Sequence, residues 1–114
     1  MESGTAAPAI SGQTFNPVGR RITVKEIQDL VIGHYQLASD DMITDRRKRK
    51  ITRPRQLAMW LARQFTNQSL PTIGRRFGGR DHTTVLHAIR RIDELCAEDS
   101  ALAADREHLV RMLQ

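Results

Sequence analysis

The chain is 114 residues long, which gives room for one domain with a single modest core. Lysine and arginine number 18 against 13 acidic residues, a formal charge of +5, so the natural partners are polyanions, nucleic acid or an acidic membrane surface. The lone cysteine, Cys96, excludes a disulfide framework, no run approaches the roughly 18 apolar residues of a membrane span, and the N-terminus lacks the basic start and apolar stretch of a secretory signal.

In chain order, residues 1–21 are rich in Gly, Ala, Ser, Thr and Pro and read as a flexible tail or linker remnant, leaving 22–114 as the domain. Thr23 followed three residues later by Glu26 is a capping box, and Val24, Ile27, Val31 and Tyr35 then share one face, with Leu30 beside it and His34 at the core edge. Gly33 weakens this helix and QLAS ends it. Ser39, Asp40 and Asp41 are expected to start a short second helix running into DRRKRKITRPR. Thr52 and Pro54 suit the start of a third, because proline lacks an amide that is unpaired there anyway. Its core face carries Leu57, Leu61 and Phe65, with Trp60 on the flank. Arg55, Met59, Arg63 and Thr66, with Gln56 alongside, are expected on the opposite face. Ser69 caps a short helix over LPTIGRRF that Gly78 and Gly79 terminate. Asp81 caps the next, reaching about Ala97, with Val85, Ile89, Ile92 and Cys96 inward. Ser100 opens the last. The reading is all-α, a compact orthogonal helical bundle.

Two helices joined by a tight glycine turn make a minimal helix-turn-helix, although a plain helical hairpin uses the same turn. The helix that Asp81 begins presents Thr83, Thr84, His87, Arg90 and Arg91 outward, with Glu94 further along. A recognition helix enters the major groove by its N-terminal end, and there a carboxylate accepts from cytosine N4, an imidazole bonds base edges and a threonine methyl packs on thymine. A helix cap followed by solvent-facing polar residues accounts for the same stretch equally well. The balance is tipped by Arg46, Arg47, Lys48, Arg49, Lys50, Arg53 and Arg55, crowded into ten positions between two patterned helices. A loop so held can follow phosphates and send an arginine into a narrow minor groove. A membrane surface would want large apolar residues among the charges, and only Ile51 qualifies.

An enzyme fits poorly. Asp81 and His82 are neighbours, and no serine or second cysteine forms a patterned pair with them. His82 and His87 are five apart, off the i, i+4 spacing of a helical metal pair, and GxxxxGK[ST] is absent. The reading therefore has no catalytic residues, no metal, no cofactor, no small-molecule substrate and no membrane partner.

RPRQLAMWLAR followed by NQSLPTIGRRFGGRDHTTVLHAIRRI closely resembles the C-terminal DNA-binding domain of the DnaA family of bacterial replication initiators, over roughly Ile22 to Gln114. The resemblance implies a helix-turn-helix with a preceding basic loop that binds DnaA-box sequences in double-stranded DNA at replication origins. It assigns Arg47 to the minor groove and Pro71, Asp81, His82 and Thr83 to bases in the major groove. Arg55, Gln56, Arg63, Leu70, Thr84 and Arg91 are assigned to the DNA backbone, and Arg46, Lys48, Arg49, Lys50 and Arg53 supply further loop charge. Asp45 departs from the pattern, standing where a basic residue is common. The initiator's ATPase part is absent from these residues. The expectation is a cytoplasmic, nucleoid-associated, free-standing box binder that regulates initiation, with the full-length initiator as a further partner. The alternative is an interaction module that docks a replication factor through Met59, Trp60 and the last helix.

Overall fold

The computed structural model describes residues 21–44 and 48–114. The expected tail falls almost wholly outside them. Helix α1 (Val24–Tyr35) starts where the Thr23–Glu26 pair predicts. The Glu26 amide donates to Thr23 Oγ1 at 3.1 Å and the Thr23 amide donates to Glu26 Oε1 at 2.9 Å, so two amides that a helix start leaves unpaired satisfy each other's side chains. Val24, Ile27 and Val31 are buried, with Tyr35 and Leu30 half-buried beside them. Gly33 does not interrupt the helix, which closes at Gln36.

The expected second helix does not form. Residues 39–44 make turns, in which Asp41 Oδ2 accepts from the Ala38 amide at 2.8 Å. Arg55 explains why the chain stops turning helically: its Nη1 donates to the Asp41 carbonyl at 3.1 Å and the Thr44 carbonyl at 2.9 Å, oxygens a continuing helix would engage itself.

Helix α2 (Arg49–Phe65) begins earlier than Thr52, taking Arg49, Lys50 and Arg53 into its first turns. Pro54 therefore lies inside the helix, where its missing amide costs only the bond to the Lys50 carbonyl. Lys50 is exposed, so water can take that oxygen, and buried Ile51 and Pro54 anchor the early turns. The expected outer face of α2 is also corrected. Arg55, Met59 and Thr66 are buried, because α4 and the turns before α2 cover that side; only Arg63 of the group is exposed, and Gln56 is half-buried.

Helices α3 (Leu70–Arg76) and α4 (His82–Cys96) start at the predicted caps. The Thr72 amide donates to Ser69 Oγ at 3.2 Å and the Thr84 amide to Asp81 Oδ1 at 2.9 Å. Helix α5 (Ser100–Leu113) opens at Ser100 as expected and is capped by Asp99, whose carboxylate accepts from the Ala101 and Leu102 amides. Five helices and no strand occur among the described residues. Helix α2 is the central element. It packs most heavily on α4 and α1, and α4 packs in turn on α3. Leu57, Leu61, Ile73, Phe77, Val85, Ile92 and Leu109 are fully buried, and each large apolar side chain so covered contributes about 1.5–3 kcal/mol. Ile89 and Cys96 sit at the margin of this core, and burial pushes the Cys96 thiol up.

Candidate nucleic-acid interface

Helices α3 and α4 are joined by a turn that only glycine suits. Gly78 and Gly79 adopt φ of 86° and 80°, in the left-handed region that side chains disfavour. The amides of Phe77, Gly79 and Arg80 all converge on the Gly74 carbonyl, which tightens the reversal. Gly74 itself was not anticipated: it is buried against the Arg80 backbone, and a Cβ there would overlap the Arg80 carbonyl oxygen. The unit is a helix-turn-helix with its second helix opening at Asp81.

The first turn of α4 is presented to solvent. His82, Thr83 and Thr84 are exposed on one end of the molecule, and Pro71 is exposed near the start of α3, with Leu70 half-buried next to it. Asp81 has a second job besides any base contact. Amide donation from Thr84, first of all, holds its carboxyl below the usual carboxylate range, so the group is a charged helix cap.

Beside this turn runs a groove of about 600 Å³ between the front of α2 and the outer side of α4. Arg49, Arg53 and Gln56 form one wall, Thr84, His87 and Arg91 the other, and among the described residues no carboxylate lines it. Burial first, then the charges of Arg91 and Arg49, hold the Arg53 guanidinium below its usual value, so like charges crowd there. Lys48 caps α2 without a side-chain bond, and no acid occupies the first turn. Cations at a helix N-terminus oppose the macrodipole, and an anion seated there relieves both the dipole and the arginine crowding. The groove is built for negative charge.

Of the residues assigned by resemblance, Gln56, Thr84 and Arg91 come together on this groove. Arg91 also holds Glu94 at 3.2 Å, and Gln56 Oε1 accepts from Arg53 Nη1 at 2.9 Å. Arg63 is exposed but lies outside the groove lining. Arg55 reaches the groove wall yet is only 5% exposed, with its guanidinium bonded to loop carbonyls. Arg46, Arg47 and Asp45 lie outside the described residues. Sequence reasoning missed Arg80, which also lines the groove and whose guanidinium donates to the carbonyls of Phe77 and Thr44. Its place directly before the cap, in GGRD, was the available signal.

Of the side chains expected to dock a protein, Met59 is buried and Trp60 half-buried. Met59 is 2% exposed. The Trp60 indole donates to Asp93 Oδ1 at 2.9 Å and lies beneath Arg106, whose guanidinium carbon is 4.6 Å from the ring centroid. The indole thus joins α2 to α4 and α5.

A model of the bacterial dnaA protein helix-turn-helix matches residues 24–92. The chain is 59% identical over 95 residues to the chromosomal replication initiator protein DnaA of Caulobacter vibrioides, covering 83% of this chain and 19% of the relative. It is 57% identical to the DnaA of Cereibacter sphaeroides, with 83% and 21% covered. The chain thus spans about a fifth of the length of the curated relatives it matches. A crystal structure of a DNA replication initiation factor superposes with a TM-score of 0.66 at 28% identity, covering 80% of this chain and 29% of that one.

Proposed function

Starting from a chain that belongs to the bacterial DnaA family through its helix-turn-helix domain, we propose that it binds double-stranded DNA at DnaA-box-like sites in replication initiation. One observation carries the reading: a groove lined by Arg49, Arg53 and Arg91 adjoins the exposed first turn of the second helix of a helix-turn-helix. The two parts divide the work. Arg49, Arg53, Arg91, Gln56 and Thr84 hold phosphates and fix register, and these contacts carry no sequence information. His82 and Thr83, with the outer oxygen of Asp81 and the ring of Pro71, read base edges. Arg47 supplies the minor-groove contact from the basic segment.

Binding is the whole of the activity; the reading includes no catalysis, metal or nucleotide. No GxxxxGK[ST] loop occurs in these 114 residues, so box occupancy by this chain is indifferent to ATP and ADP. It acts as a regulator that competes with the full-length initiator for boxes and lowers duplex opening. Among the described residues no helix is long and apolar enough to cross a membrane.

The test is affinity for a box-containing duplex against a scrambled duplex of equal length at one salt concentration. The reading expects a preference of at least about 10³-fold, the lower end for specific binders. Equal affinities would overturn it. In an origin reaction with full-length initiator, stimulated opening would overturn the competitor role alone.

A further inference from the structure

The turn between α3 and α4 is fastened to the segment that leads into the basic cluster, and two independent contacts do it. Gly78 sits so close to the Ile43 carbonyl that a Cβ would overlap that oxygen. Two residues on, the Arg80 guanidinium spans two carbonyls, Phe77 at the end of α3 through Nη1 and Thr44 through Nη2. Arg55 of α2 donates to the same Thr44 oxygen at 2.9 Å. Two guanidinium groups from different elements thus share one carbonyl, at the residue where the chain passes toward Arg46 and Arg47.

We infer that Arg80 is a positioning residue: it ties the Thr44 carbonyl to the helix-turn-helix and so fixes where the basic cluster starts relative to the first turn of α4. The inference rests on the DNA-binding reading above. A protein that reads two grooves at once needs its two readers held at one spacing, because a misplaced arginine forfeits its groove contact while it remains a cation near phosphate. A planar fork suits the task, since one guanidinium can donate to two carbonyls at a set angle and an ammonium cannot. Arg80 therefore serves specificity, and the cations Arg49, Arg53 and Arg91 serve general affinity.

The experiment uses the full chain with Arg80→Gln and Arg80→Lys, binding box and scrambled duplexes across a salt series, each alone and combined with Arg47→Ala. Positioning predicts that either substitution lowers box affinity about tenfold, within the cost of one lost base contact, while scrambled affinity falls less than about threefold. It also predicts that the box penalty shrinks to less than about twofold once Arg47 is already Ala, because the two residues act through one contact. Thermal melts check folding, and where Arg80→Gln unfolds, Arg80→Lys keeps the charge and carries the test. Equal losses on both duplexes, with a salt slope reduced by about 1, would make Arg80 a phosphate contact and overturn the inference. Full additivity with Arg47→Ala would overturn it as well. Wild-type protein that fails to prefer the box would overturn the underlying reading first, a result separable from both.

Discussion

Two sides of this small bundle treat their charges in opposite ways. On the side where α5 meets the ends of α1, α2 and α4, cations and carboxylates meet. Asp105 takes the Tyr35 hydroxyl at 2.8 Å and His34 Nε2 at 3.3 Å, and Asp93 takes the Trp60 indole and Arg106. Arg111 pairs with Glu107. On the α2–α4 groove, Arg49, Arg53 and Arg91 stand together with no carboxylate among the described lining residues, although Glu94 reaches Arg91 from outside it. Folding alone rewards the first arrangement and penalises the second. The difference shows where the molecule spends charge on itself and where it keeps charge for a partner.

The largest effect should come from opening the core. Phe77 is fully buried at the C-terminal end of α3, and Phe77→Ala should cost about 3–5 kcal/mol in denaturant unfolding, taking DNA binding with it at physiological temperature. Selective damage follows at the next level. His82→Ala and Thr83→Ala should each cost about 1–3 kcal/mol on a box duplex and much less on scrambled DNA, with stability within about 0.5 kcal/mol of wild type. Loss on both duplexes alike would move these residues from reading bases to holding the backbone.

The paired side should respond in stability and not in binding. Asp105→Ala removes the Tyr35 and His34 contacts and should cost about 1 kcal/mol while leaving DNA affinity as it was. Burial, then the hydrogen bond to Asp105, pushes the Tyr35 hydroxyl up. A folded-state value above the unfolded one means that this contribution is intact below the unfolded tyrosine pKa of about 10 and is lost as pH rises beyond it. Tyr35→Phe should flatten that alkaline decline. The smallest effect belongs to Lys25→Ala, which breaks an exposed i, i+4 pair with Asp29 and should change stability by at most about 0.5 kcal/mol. A larger change in either property would show that the two sides are not independent.

What the sequence discloses follows the range of the interaction. Thr23, Ser69 and Asp81 are legible as caps because each bonds an amide three residues away. The glycine turn is legible for the same reason. Arg55 and Met59 mislead because their burial depends on partners far along the chain, Thr44 and Asp41 for the arginine and the packing of α4 on α2 for the methionine. The polar first turn of α4 can be placed from the sequence, whereas the groove cannot, since Arg53 and Arg91 are neighbours only after α2 and α4 meet. Gly74 looks like an ordinary helix residue until the Arg80 backbone is laid against it.

The central claim, that the groove keeps its cations for phosphate, is tested most directly by the salt dependence of binding. With about five to seven phosphate contacts from the basic segment, α2 and α4, the slope of log K against log salt for wild type should be roughly −4.5 to −6. Neutralising Arg53 and Arg91 together with glutamine should make the slope shallower by about 1.8, and neutralising Arg106 and Arg111 on the paired side should leave it in place. A slope that ignores the groove pair and follows Arg106 and Arg111 would contradict the account.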